Sequence, residues 1–443
     1  MKKTISILFF ISFLCSCSND VTKDVTKDVT NLSALIPDSR GRLDMESAET
    51  SQIRPGSIIY LKGKFLSVRF VGLKGSAQQP IRITNYPGQT LTVGDPNWSG
   101  GAYSNAIQLL ECQHIILGGE NSKSDFIIEG STHPQKQASY FGIALRPFTD
   151  NIEIKNITIR NGGIAISAKT DPEKDNPKTW YPNTVLENLS IHDVEISGAA
   201  GEAMYLGHTS PWWGWDENGH GYNAGVKPDN PAHTYVIPIR YKNVKIYNNY
   251  VHHLGYDGIQ ASAMDQLEIY NNEVADFGLK KVWGQCMGII VGSRTTNTNT
   301  HDNYVHDGFG ELIQFHGANE GNATHVISNN LLVHTQGSGI GIYGTTDAAT
   351  IKISNNTIVD CQTYAIQTNG RSFATKSDLR NNVFVSYYQK APSRQKYIWI
   401  INGSSVEETD NKLFDTPMDA LIDPNNFYQP LPGSTIGNAG YKK

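Results

Sequence analysis

Ile246-Tyr247-Asn248-Asn249-Tyr250-Val251 and Ile269-Tyr270-Asn271-Asn272-Glu273-Val274 are two copies of one short phrase, two asparagines between β-prone residues. The phrase returns as Asp302-Asn303-Tyr304-Val305, Ser328-Asn329-Asn330-Leu331-Leu332, Ser354-Asn355-Asn356-Thr357-Ile358 and Arg380-Asn381-Asn382-Val383-Phe384. Its second Asn falls at 249, 272, 303, 330, 356 and 382, at intervals of 23 to 31 residues. A period of this length belongs to solenoids. Ten residues beyond that Asn stand Ile259, Ile313, Ile340 and Ile366, flanked by Gly and other small residues. One Ile per repeat at constant offset is what stacked coils require when each gives one side chain to a shared interior. A leucine-rich repeat needs a Leu ladder and a helical segment, and a propeller blade needs four strands per repeat; neither pattern is visible. The reading is an all-β parallel β-helix with loop insertions.

The Asn column is expected to fill the tight turn between two sheets, where Asn tolerates left-handed backbone angles and its amide bonds the Asn above and below. Segments such as 152–159 and 185–191 carry the strand alternation toward the N-terminus, which places the start of the solenoid near residue 55.

Ahead of it, Met1-Lys2-Lys3, the apolar run Ile5 to Leu14 and Cys15-Ser16-Cys17 read as a signal peptide too short to span a bilayer as a helix. Leu14-Cys15-Ser16-Cys17 resembles a bacterial lipobox, which implies acylation of Cys17, with Ser18 favouring the outer membrane. Residues 1–17 are thus expected to be the lipoprotein signal ending at Cys17. The tandem Val21-Thr22-Lys23-Asp24, Val25-Thr26-Lys27-Asp28 lies in a tether over 18–35, and residues 36–443 form the β-helix domain. The protein would be exported and held on the membrane through lipid alone. A formal net charge of −5 gives no basic surface for nucleic acid. Cys112, Cys286 and Cys361 have no metal-type spacing and read as buried small residues. Nothing in the sequence sets an oligomeric state.

Asn-Asn turns, Gly-Ile strand starts and coils of this length resemble the pectate-lyase-like superfamily of right-handed parallel β-helix proteins, over most of the mature chain. That resemblance implies the right-handed fold and a carbohydrate partner. It leaves polysaccharide lyases, glycoside hydrolases, fructotransferases and non-catalytic proteins all open. Tyr256-Asp257-Gly258-Ile259 looks like the Asp-Gly stretch of polygalacturonases, in which the Asp is catalytic. The paired Asp-Asp of that family is absent, and Gly284-Gln285-Cys286-Met287 stands in its place.

With the Asn as a ruler, offset eight lands on Asp257 and Glu311, just before the buried strand. In the preceding coil the ruler residue is taken as Asp193, which puts Glu202 one residue out of register in the same column. The coil between Asp257 and Glu311 has a longer turn and offers Met287 there. Coils stack at about 4.8 Å, so Glu202 and Asp257 should lie about 5 Å apart along the backbone and Asp257 and Glu311 about 10 Å. Close carboxyls suit a retaining glycosidase and distant ones an inverting enzyme; both remain open, as does a purely structural role for acids beside Gly. Glu202, Asp257 and Glu311 are the candidate catalytic pool, since neighbouring carboxyls drive their pKa values apart into an acid and a base.

Polar and aromatic residues of the following strand face, Tyr205, Gln260, Gln314, Gln367, His316 and Tyr343, with His208 beside Gly207, are candidates to bind sugar hydroxyls and faces. The Gln residues read equally well as a stabilising stack. An insertion at about 208–240 carries Trp212, Trp213 and Trp215 and reads either as a sugar-stacking wall or as cover for the solenoid flank. Arg294 and Arg371, at matching coil positions, are the cations a lyase would need for a uronic acid. A calcium ion on Asp257 and Glu311 is the other lyase device; a hydrolase needs no cofactor. His252 and His306 belong to a turn away from the groove. Three readings stand: glycoside hydrolase or transglycosidase, lyase, and non-catalytic surface glycan-binding lipoprotein. Replacing Cys17 by Ser in the full chain is expected to move the protein from the membrane fraction of a Gram-negative host to the soluble fraction on cell fractionation. An ordinary secretory signal predicts no such shift.

Overall fold

The computed structural model describes residues 34–225, 227, 229–318, 322–343, 349–369, 376–386, 397–401 and 405–443. The expected anchor Cys17 and the expected cation Arg371 lie outside these residues. The chain winds as a right-handed parallel β-helix. One face is a sheet of twelve parallel strands, beginning with Arg42–Met45 and Ser67–Val71 and running through Met204–Leu206, Ile259–Ser262, Ile289–Gly292, Ile313–His316 and Ile340–Tyr343 to Ile398–Ile401. Apart from a small antiparallel sheet in the 208–240 insertion and a two-stranded one near the C-terminus, the remaining strands form two more faces, joined where the long strands Asp150–Arg160 and Val185–Ser197 run continuously from one to the other. Solenoid pairing starts earlier than the alternation pattern indicated, with a parallel bridge at Leu35 and the first strand at Arg42, because that strand, RLDM, is only partly buried and carries no Asn phrase.

The interior Ile column is present as expected and longer: Met204, Ile259, Ile289, Ile313, Ile340 and Ile366 stack in register and are fully buried. Ile289 escaped the constant-offset rule because its coil carries the longer turn.

The two asparagines of each phrase divide the work that had been assigned to the second. The left-handed backbone belongs to the first residue, with φ of 56° at Asn248, 52° at Asn271, 54° at Asp302 and 52° at Asn329. The second Asn is buried and builds a ladder. Each Nδ2 donates to the Oδ1 of the next coil, Asn249 to Asn272 at 2.9 Å, Asn272 to Asn303 at 3.0 Å, Asn303 to Asn330 at 2.9 Å, Asn330 to Asn356 at 2.9 Å, Asn356 to Asn382 at 3.0 Å and Asn382 to Asn411 at 2.9 Å. The backbone N–H of each also donates to that same Oδ1, as from Asn272 to Asn303 at 3.1 Å. Such a buried amide has its polar atoms satisfied, the condition under which burial is tolerated. The ladder begins where Val194, the residue paired in the coil before, donates its N–H to Asn249 Oδ1 at 3.1 Å.

The last segment folds back along the outside. Ala420, Ile422, Ile436 and Ala439 cover an outward apolar patch of Leu331, Val333, Val359, Val383 and Val385, and Lys442 N–H donates to Asn329 Oδ1 at 2.7 Å. The helix Pro417–Ala420 is capped by Thr416. Among the described residues no helix is long and apolar enough to cross a membrane.

The ladder and the turn separate by mutation. Asn303→Ala strips partners from Asn272 and Asn330 and is expected to lower stability by about 3 kcal/mol, read from the urea midpoint. Asn271→Gly, at a left-handed and exposed position, is expected to stay within about 1 kcal/mol of the parent.

Candidate active site

The strand pairing that aligns Met204 with Ile259, Ile289 and Ile313 also aligns the residues two positions earlier. Glu202, Asp257, Met287 and Glu311 therefore form one column, confirmed by Ala203 N–H to Asp257 O at 3.0 Å, Gly258 N–H to Met287 O at 2.9 Å and Gly288 N–H to Glu311 O at 3.0 Å. Glu202 is in register after all. The ladder counterpart of Asn249 is Val194, one residue beyond the Asp193 used as ruler, and Glu195 pairs with Tyr250. The slip arose because that coil has an apolar residue where its successors have Asn.

A bend just before each strand lets two consecutive residues face inward, as Ala203 and Met204 or Leu312 and Ile313 do. Gly258 makes that bend at Asp257: a Cβ there would lie 2.4 Å from the Gly288 carbonyl oxygen. The column residue Glu311 meets the side chains of Gln314 in its own coil and Tyr343 in the next.

The three acids have different surroundings. Asp257 is 0 % exposed. Its Oδ1 accepts the Met287 N–H at 2.8 Å, and its Oδ2 has no hydrogen-bond partner. Burial, reinforced by the negative charge of Glu202, pushes its carboxyl up to about 8. Glu202 is also buried and raised above the ordinary glutamate range by desolvation, with Lys280 near enough to pull in the opposite direction. Glu311 accepts the Tyr343 hydroxyl on Oε1 at 2.7 Å and the Gln314 amide on Oε2 at 3.3 Å. The Tyr343 phenol is raised by burial and by that carboxylate. Between Asp257 and Glu311 the floor is apolar, built from Cys286, Met287 and Ile290 with Phe309 packed on them. This is the dry environment that lifts Asp257. Burial likewise pushes the Cys286 thiol up to about 12.

Among the expected binding residues, Tyr205 lies partly exposed in the strand Met204–Leu206 that follows Glu202, its hydroxyl 3.2 Å from Thr209 Oγ1 and the Lys169 ammonium over its ring. Gln260, Gln314 and Gln367 do share a column, yet Ile290 and Gly341 alternate with them. A continuous Gln stack is therefore absent, and Gln314 is engaged with Glu311. His316 is exposed, in line with Gly292 and Tyr343.

Three others are taken into the protein. His208 is buried, its Nε2 3.0 Å from the Thr170 carbonyl and 3.1 Å from Asp171, and burial lowers its pKa. Trp215 is buried against Trp180. Arg294 is buried, donates to the Pro238 carbonyl at 2.9 Å and lies over the Tyr181 ring. It props the insertion instead of standing open in the groove. The insertion itself makes a three-stranded antiparallel sheet with Trp212–Trp215 in the centre. Trp213 packs edge-on to His208, and Lys227 lies over Trp212. This sheet leaves at the end of the strand, whereas the acids stand at its start.

Asp257 and Glu311, which a calcium ion would bridge in a lyase, have the Met287 coil between them. Among the described residues no group of three or more His, Cys, Asp or Glu side chains is placed to hold a metal ion. His252 and His306 lie on another face, beside Glu195 and Glu273. The apolar floor and Phe309 were missed by the sequence reading. The long turn before Met287 was the available signal.

The raised Asp257 carboxyl has a thermodynamic consequence. Its folded pKa of about 8 exceeds that of the unfolded chain, about 4, so the folded state binds the proton more tightly. The resulting stabilisation is full below pH ~4 and is lost as pH climbs to about 8. Asp257→Asn is expected to flatten that decline, so that denaturation midpoints of parent and variant diverge between pH ~4 and ~8 in favour of the variant. Parallel curves would contradict the assignment.

Residues 232–413 match the family model described as "Right handed beta helix region". No curated protein sequence matches the chain. Among solved structures, the periplasmic alginate epimerase AlgG is similar at 8% identity with a TM-score of 0.50, over 86% of this chain and 85% of that one. A double mutant of the same epimerase gives 9% identity and 0.51, over 85% and 84%. A lacto-N-biosidase from Eubacterium ramulus gives 12% identity and 0.49, over 84% and 68%. At these identities the likeness is one of fold, and the fold of this chain is the right-handed parallel β-helix.

Proposed function

We propose that the protein is a carbohydrate-processing enzyme that hydrolyses glycosidic bonds, with Asp257 as general acid and Glu311 as general base. The observation that carries this reading is the contrast between the two carboxyls. Asp257 is held protonated at neutral pH with Oδ2 unpartnered, while both oxygens of Glu311 accept hydrogen bonds. The first is suited to giving a proton and the second to taking one. The two-coil spacing, about 10 Å along the backbone, leaves room for a water between substrate and base, as inversion at the anomeric carbon requires. Glu311 takes a proton from that water, whose oxygen bonds to the anomeric carbon. The glycosidic C–O bond breaks, and Asp257, once glycan binding uncovers its buried Oδ2, delivers its proton to the departing oxygen. Glu202, on the adjacent coil, acts as a positioning residue whose charge helps keep Asp257 protonated. The fold shared with an enzyme of alginate supports a glycan as substrate in the general sense. Lipid anchorage through Cys17 would station the enzyme at the outer membrane.

Mass spectrometry of products from a panel of neutral and acidic polysaccharides tests this reading. Saturated oligosaccharides are expected, with kcat lowered about 10²-fold or more in Asp257→Asn and in Glu311→Gln. Unsaturated products would assign a lyase, and binding without cleavage would assign a glycan-binding lipoprotein.

A further inference from the structure

The turn that lengthens the coil before Met287 is a fixed structure. Gly278, Leu279 and Lys280 donate their backbone N–H groups to the Tyr256, Leu254 and Gly255 carbonyls of the previous coil at 3.0 to 3.1 Å, and Gln285 closes on Val282 at 3.0 Å. This anchored turn nevertheless presents Trp283 at 62 %, Leu279 at 56 % and Val282 at 41 % exposure. Trp283 rests on Phe309, with ring centroids 4.8 Å apart. Phe309 in turn packs on Met287 and Ile290, the floor between Asp257 and Glu311. Apolar packing therefore runs unbroken from the exposed indole through Phe309 to the buried Cys286, Met287 and Ile290, on the coil between the two acids. An exposed apolar patch of this kind signals a partner, and its continuity with the acid column says which.

We infer that Trp283, backed by Phe309, is a subsite that stacks the C–H face of a pyranose ring of the glycan bound across Asp257 and Glu311, next to the bond that is cleaved. The inference rests on the carbohydrate reading above and adds the platform that orients the chain. A flat indole held at a fixed height selects an extended sugar ring and contributes binding to the ring beside the reacting bond without touching the reacting atoms. Lys280 and Lys281, over the Tyr256 and Phe309 rings, flank the platform with cations suited to sugar hydroxyls or a sugar carboxylate. On the acid side of the strand this turn supplies the stacking surface that the sequence had suggested for the 208–240 insertion.

Isothermal titration with Asp257→Asn, in which turnover is expected to be slowed about 10²-fold or more, tests the platform using hexasaccharides of β-1,4-glucan, β-1,4-xylan, β-1,4-mannan and α-1,4-galacturonan. Adding Trp283→Ala is expected to weaken the tightest of these about tenfold, and Trp283→Tyr is expected to restore most of the loss. In the active enzyme on the same glycan, Trp283→Ala should raise KM with kcat nearly unchanged. Equal binding with and without the indole would overturn the platform while leaving the carbohydrate reading intact. Failure of Asp257→Asn to bind any hexasaccharide would overturn both. Loss of binding to phosphatidylethanolamine–phosphatidylglycerol vesicles, with glycan binding untouched, would assign the loop to a lipid surface instead.

Discussion

A buried amide handing one hydrogen bond to the same amide on the next coil is the interaction on which this molecule depends. From Asn249 to Asn411 the contact repeats at nearly constant length. Hydrophobic burial drives the coils together without setting their relative height. Strand pairing sets it, and from Asn249 onward the amide ladder locks it, since a slip by one residue would leave donors and acceptors unmatched in a dry interior. Once the height is set, any residue at a fixed distance along the chain from the Asn falls into a column. The Ile interior and the column of Glu202, Asp257 and Glu311 are two such columns.

That logic explains what could be read in advance. The Asn phrase, the Ile offset and the carboxylates of Asp257 and Glu311 were legible because they repeat at a constant count from a residue whose identity is itself constrained. Where the ruler residue is Val194 the count slipped, though Glu202 was still assigned to the column. The sharing of labour between Asn248 and Asn249 was beyond a sequence reading, since both residue types tolerate left-handed φ. Burial was the other blind spot. His208, Trp215 and Arg294 look like ligand-binding residues on paper, and each is enclosed by an insertion whose packing no repeat rule governs. The floor of Met287, Ile290 and Phe309 was hidden because apolar residues in a longer turn carry no period.

The site also shows how a solenoid generates unlike acids from like positions. Asp257 and Glu311 occupy the same offset and emerge through the same bend. They share the apolar coil between them and differ because Asp257 is fully buried with Oδ2 unpartnered, whereas Glu311 meets a phenol and an amide. Desolvation raises the first, whereas the second has donors for both oxygens. Placing an apolar coil between two acidic ones separates their environments with no change of backbone.

Because the amides hold coils in register whatever lies between them, turn length becomes a free variable. The interval between ladder residues ranges from 23 to 31, and an entire three-stranded sheet leaves the coil ahead of Asn249. In neither case does the column shift. The molecule thus keeps its acid column on the frame and its variation on removable parts, so a turn can be exchanged while the carboxylates stay where they are.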